Sequence, residues 1–280
     1  MKTRHKIALA RMAQTVVIIL RRMAGYGSEA QVTRRAVRWQ LDLREGIDFS
    51  IYLLGAFEPS TVRAYERLIQ PDNVVLDIGA NIGAHTLPLA RTVGAHGKVI
   101  ACEPTRFAFA KLTANLALNP QLAARVEARQ VMLLDGDKDV PPSLYSSWPL
   151  AETVGAHDIH LGQMKTTDGA RGVTLDKLVD ELSLARVDFI KLDVDGFECH
   201  VLRGAVQTLK RFRPVIITEI APLILREQGE SLESLVTLLA SHGYGLWPLS
   251  SETPIPMDAK AIQDMVPDGA SLNVLARPVR

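Results

Sequence analysis

The sequence predicts an α/β protein with a mostly parallel sheet and helices on both of its faces. Three observations point there. From Asn73 onward short, wholly apolar segments alternate with longer ones of helical period; those apolar segments are of strand length; and the first runs into the turn Gly79-Ala80-Asn81-Ile82-Gly83, which opens a helical pattern.

Residues 1–30 are expected to form a basic amphipathic helix. On a helix, Leu9, Met12, Ala13, Val16, Ile19, Leu20 and Met23 share one face, with Arg11, Gln14, Arg21 and Arg22 off it. The segment begins like a signal peptide, yet Arg11 and Gln14 interrupt its apolar stretch, which is too short to span a bilayer. The apolar face then packs on its own domain, on a second copy in a homodimer, or on a membrane surface through residues 1–24. Residues 31–70 form a lead-in, with a short hairpin expected around Arg44-Glu45-Gly46 and a helix over 58–69 that Pro59-Ser60-Thr61 would start.

The remaining residues, 71–280, read as one α/β domain. Strands are expected at 74–78, 98–102, 125–133, 189–193 and 214–219, with helices near 85–93, 106–118, 175–182, 198–210 and 231–242. Strands at 245–249 and 272–276 would close the sheet as an antiparallel edge pair. Residues 135–171 are rich in Gly, Pro, Asp and Ser and carry Tyr145, Trp148, His157 and His160. That segment is too long for an ordinary connection, so it reads as a lid-like insertion.

Composition limits the function. The chain is 47% hydrophobic and 22% charged with a net charge of +1, so no bulk charge marks nucleic acid as a partner. The charge is uneven: residues 1–40 hold nine Lys or Arg against Glu29 alone, a local +8 that leaves −7 for the rest. Cys102 and Cys199 fall in a strand end and a helix, which suggests free thiols in a reducing, cytoplasmic setting, with surface association at a membrane as the variant.

The turn after the first strand carries the chemistry. Glycines there permit tight bends and close approach of backbone to a ligand. A pyrophosphate-gripping turn wants Gly where Asn81 stands, and Asp77 at the strand end would repel a pyrophosphate but suit a cation such as a sulfonium-bearing amino acid. Glu103, twenty positions after Gly83 and closing the next strand, suits a ribose diol, a role shared by NAD and S-adenosylmethionine sites. Farther on, Asp193, Asp195 and Glu198 reach the carboxyl edge of the sheet, and Glu219 ends the next strand at the same edge. Such acids deprotonate a hydroxyl, orient a substrate, or hold a divalent metal such as Mg; Asp193, Asp195 and Glu219 are the metal candidates.

With these residues located, VLDIGANIGAHTLPLA, CEPTRFAFAKLTANLALN, TLDKLVDEL and above all DFIKLDVDGFECHVLRGA give the chain a resemblance, over about residues 36–280, to the FkbM family of S-adenosylmethionine-dependent methyltransferases. Where members commonly carry Glu before the glycine of the last block, this chain has the shorter Asp195. The resemblance implies a seven-stranded class I, Rossmann-like methyltransferase fold and methylation of a hydroxyl on a sugar or secondary metabolite, so the acceptor partner is a small molecule or glycan. It implies that Gly79, Asn81 and Gly83 cradle the donor's amino-acid part, that Asp77 faces its amino group or structured water, and that Glu103 meets the ribose; Asp135 is counted with these cofactor-binding residues. Asp193 is the first choice of base, with His157 and His160 on the insertion behind it. Two alternatives stand beside this reading: an NAD-dependent oxidoreductase, and a catalytically silent methyltransferase-like adaptor at a membrane.

Overall fold

The computed structural model describes residues 3–136, 138–150, 162–267 and 269–279. Seven strands, numbered here along the chain, build the central sheet: β1 (Val74–Ile78), β2 (Lys98–Cys102), β3 (Val126–Arg129), β4 (Phe189–Leu192), β5 (Val215–Ile220), β6 (Tyr244–Pro248) and β7 (Leu272–Pro278). Their order is β6-β7-β5-β4-β1-β2-β3. Five strands are parallel neighbours, and β7 runs antiparallel between β5 and β6. This is the class I methyltransferase arrangement expected from the sequence. Its strand order reverses between β1 and β4, so the carboxyl ends of those two strands open a crevice there.

The sequence explains the burial. Strands β1, β2 and β4 are buried almost throughout, since helices cover both faces, and residues such as Val75, Val99, Ile100 and Ile190 are 2% exposed or less. Each such side chain contributes roughly 1.5–3 kcal/mol by leaving water. Both cysteines are free and buried.

Three expected elements differ from the observed ones. The N-terminal hairpin pairs Glu29–Arg34 with Val37–Asp42 and turns at Arg35 and Ala36, both left-handed (φ 49° and 63°). That is the geometry of a two-residue hairpin turn, made here by residues that carry no turn signal. Arg44-Glu45-Gly46 lead instead into a helix, Gly46–Leu54. The strand expected over 125–133 divides at Gln130, whose amide donates to Pro104 O and Asp168 O; beyond it Val131–Leu133 leaves the sheet to pair in parallel with Arg171–Val173. The helix expected over 198–210 breaks into Glu198–Arg203 and Val206–Phe212. A Cβ at Gly204 would lie 2.2 Å from Leu134 O, and the second helix is started in trans by Asp176, which accepts from Gln207 N (2.9 Å) and Thr208 N (2.7 Å).

The first helix, Thr3–Met23, does pack on its own domain, though of the face expected it uses Ala13 and leaves the larger side chains exposed. Gln14 is buried and donates to Leu43 O at 2.6 Å, while Ala10, Ala13 and Val17 pack against the hairpin core.

Candidate functional site

A cavity of about 560 Å³ opens at the carboxyl edge of the sheet. Its floor comes from the ends of four strands: Ile78 and Gly79 after β1, Cys102 and Glu103 after β2, Lys191, Asp193 and Asp195 at the end of β4, and Glu219 in β5. The lead-in supplies Phe57 and Glu58, and the insertion supplies Tyr145, Ser146 and Trp148.

Backbone shape sets the turn. Gly79, Asn81 and Gly83 all take left-handed φ (80°, 47° and 87°). A Cβ at Gly79 would stand 1.8 Å from the carbonyl oxygen of Asp193, so only glycine lets the first turn press against the end of β4. Asn81 tolerates its conformation by a local bond, its Oδ1 accepting from Ile82 N at 2.8 Å. Gly79 and Asn81 line the cavity. Gly83 does not; a Cβ there would meet Leu112 Cδ1 at 2.8 Å, so it serves close packing behind the turn.

Glu103 is buried, and Asn81 N–H donates to its Oε2 (2.9 Å) while the Thr105 N–H and hydroxyl donate to Oε1 (2.9 and 2.6 Å). A carboxylate has about four acceptor positions, so one remains for a ligand. Burial raises this carboxyl above its usual range, with the bonds from Thr105 and Asn81 opposing the shift. The insertion is tied to the same region. Thr105 Oγ1 lies 2.6 Å from Ser146 Oγ, Ser147 Oγ and Trp148 N donate to the Glu45 carboxylate at 3.0 Å, and Gly46 N donates to Trp148 O at 2.8 Å. The hairpin Ser143–Ser147 with Gln163–Thr166 therefore stands against the lead-in across the cavity.

At the switch point a lysine organises the acids. Lys191 Nζ lies 3.1 Å from Asp193 Oδ2 and 3.8 Å from Asp77 Oδ1, and donates to Gly79 O at 3.1 Å. Burial alone would lower its pKa, but the Asp193 and Asp77 carboxylates outweigh it and hold the ammonium charged well above the usual lysine range. Asp77 is wholly buried behind the turn, where Thr86 Oγ1 donates to its Oδ2 at 2.6 Å; it supports the site rather than lining it.

Two expectations change here. Asp193, Asp195 and Glu219 do line the cavity, but among the described residues no group of three or more His, Cys, Asp or Glu side chains is arranged to hold a metal ion. The cation that Asp193 meets is Lys191. Burial, reinforced by the charge of Asp193, pushes the Asp195 and Glu219 carboxyls well above the usual range. Asp135 does not reach the cavity either: it pairs with Lys138 (2.8 Å) and with His200 Nδ1 (3.2 Å). His157 and His160 lie outside the described residues.

The structure also adds residues that sequence reasoning missed. Glu58 lines the cavity with a left-handed backbone (φ 42°); its Oε2 accepts from Asn273 Nδ2 (2.8 Å) and Thr61 Oγ1 (3.1 Å) and lies 3.7 Å from His85 Nε2. Burial would raise the Glu58 carboxyl, yet His85, Lys191 and Thr61 hold it below its usual range. His85 is 3% exposed and borders the same cavity. Only Lys191 had a signal in the sequence, since a lysine inside a wholly apolar strand needs an acidic partner.

Comparison with known proteins gives a consistent picture. The family model described as the methyltransferase FkbM domain matches residues 77–246. The AMB antimetabolite synthetase AmbE of Pseudomonas aeruginosa is 27% identical over 210 residues, 63% of this chain and 10% of that protein. The hexuronic acid methyltransferase AglP of Haloferax volcanii is 27% identical over 163 residues, 57% of this chain and 61% of that protein. The 2-O-methyltransferase NoeI of Sinorhizobium fredii is 26% identical over 219 residues, 71% of this chain and 88% of that protein. The chain thus spans a tenth of the first of these relatives and three-fifths of the second.

Proposed function

This chain belongs to the FkbM family of methyltransferases, and from that premise we infer that its cavity takes S-adenosylmethionine and that the methyl group passes to a hydroxyl of a sugar or a related secondary metabolite. The observation that carries the reading is the convergence, in one cavity, of a turn with no room for a Cβ at Gly79, a buried carboxylate at Glu103 with an acceptor position to spare, and Asp193 at the strand-order switch.

The donor, when bound, supplies an electrophilic methyl group. The residues of this chain do the rest. Gly79 and Asn81 would shape the floor for the amino-acid part of the donor, and the remaining acceptor position of Glu103 would take a ribose hydroxyl. Asp77 acts from behind, through Lys191 and Thr86. The hydroxyl to be methylated becomes strongly acidic only as the new bond forms, so a carboxylate within reach is base enough. Asp193 fills that role: it borders the cavity, and Lys191 holds its Oδ2 at 3.1 Å. Tyr145 and Trp148, which also line the cavity, are aromatic groups of the kind on which a sugar ring stacks. The printed names of two relatives, a hexuronic acid methyltransferase and a 2-O-methyltransferase, favour such an acceptor.

A ligand that binds only the folded state stabilises it by mass action. S-adenosylhomocysteine is therefore expected to raise the melting temperature and NAD to leave it unchanged. The reverse outcome would move the chain to dinucleotide chemistry.

A further inference from the structure

We propose that the first helix, Thr3–Met23, docks the protein onto an anionic lipid surface through a face that its own domain leaves open. Leu9, Met12, Val16, Ile19, Leu20 and Met23 are exposed, from 51% at Ile19 to 80% at Met23. Their spacing puts them on a single stripe of about 100°, the width of an ordinary core-facing stripe, although no core faces it. The opposite side is already committed: Gln14 donates to Leu43 O, Val17 and Ala10 pack on the hairpin core, and Arg21 donates to Gly27 O (3.0 Å) and Glu29 O (2.9 Å). The helix is thus fixed to the domain with its apolar stripe outward.

Charge selects the occupant. In the first 40 residues Glu29 is the sole acid against nine Lys or Arg, with Lys2, Arg4 and Lys6 preceding the stripe in sequence and Arg22 exposed on the same helix beside it. A two-fold contact between copies would set this basic segment against itself. An anionic membrane complements both parts: lipid headgroups meet the basic residues while the stripe enters the headgroup and acyl boundary. No helix among the described residues is long and apolar enough to cross a membrane, so the helix lies along the surface. The site cavity is formed by other elements, so donor binding does not depend on this face.

The test uses the full chain and sedimentation with vesicles of phosphatidylcholine alone or with phosphatidylglycerol. Binding is expected only with the anionic lipid and should weaken as salt rises. Arg22→Gln should weaken it about fivefold, as expected for one basic charge near such a surface. The triple variant Met12→Ser, Val16→Ser, Leu20→Ser should weaken it at least about tenfold, with circular dichroism and the S-adenosylhomocysteine melting shift unchanged because these positions are exposed. No binding at low salt, or equal binding by the triple variant, would overturn the proposal. So would sedimentation velocity showing a dimer that the triple variant dissociates, since a second copy would then be the occupant.

Discussion

Lys191 and Asp77 are direct partners in the parallel register of β4 on β1, and the lysine ammonium bridges Asp77 (3.8 Å) and Asp193 (3.1 Å) with almost no exposure to solvent. One cation thereby holds the buried acid behind the glycine turn and the acid in front of it. Removing a single member of a buried ion pair leaves an uncompensated charge, at a cost of about 3–5 kcal/mol. Lys191→Met is expected to destabilise the fold by that amount in urea unfolding. Adding Asp77→Asn to it should cost less than the sum of the two single changes. A loss below about 1 kcal/mol in the single variant would mean that the lysine does not carry this load.

Gly79 gives a second prediction. A methyl group at this position collides with the Asp193 carbonyl and also meets an unfavourable left-handed φ. Gly79→Ala is expected to lose about 3 kcal/mol or more of stability, and at a temperature where it stays folded, to lose the melting shift with S-adenosylhomocysteine. A variant that kept both would place the donor elsewhere.

How much of this was legible in the sequence depends on range. Apolar runs and turn glycines act locally, so β1, β2, β4 and β5, the antiparallel edge pair and the tight glycine turn could all be read from VVLDIGANIG and its successors. Asp193 and Glu103 were legible because a strand end in a parallel sheet has a known destination. Features set by distant backbone were not. Gly204 breaks a helix because Leu134 O passes beside it, and Glu58 joins the site because Asn273, 215 positions away, reaches its carboxylate. The first helix was ambiguous for a different reason. Its hydrophobic face suited its own domain, a second copy or a membrane alike, whereas the contact with its own domain is made by Ala10, by Ala13 at the edge of that face and by Gln14, whose polarity hides a buried hydrogen bond.

Glu198 makes stability depend on pH. It is 2% exposed, and burial raises its carboxyl to about 7 even though Val194 N donates to it. Between its unfolded value and about 7, the folded state holds a proton that the unfolded chain has released. Its contribution is therefore greatest in acid and is lost as pH rises through that window, by an amount of order 3 kcal/mol. Glu198→Gln stays neutral throughout. The stability difference between the variant and the parent should then shift in the variant's favour as pH goes from about 4.5 to 7.5, read by urea midpoints at each pH. A difference that stays flat across the window would show that Glu198 is already ionised in the fold.

Asp193 and Glu58 can be told apart by the kinetic step each controls. Both carboxylates border the cavity, but they are held differently: Asp193 by one contact to Lys191, Glu58 by Asn273 and Thr61 on Oε2 with His85 nearby. A base acts only when the hydroxyl proton leaves, so removing it lowers kcat while leaving binding nearly intact. Asp193→Asn is expected to lower kcat by about 10²–10⁴ with donor affinity changed only a few-fold in calorimetry. A carboxylate that only orients a bound group has the opposite signature, so Glu58→Gln should raise KM and spare kcat. Should Glu58→Gln instead abolish turnover while Asp193→Asn retains it, the proton leaves toward the lead-in side of the cavity, and the strand-order switch serves the donor alone.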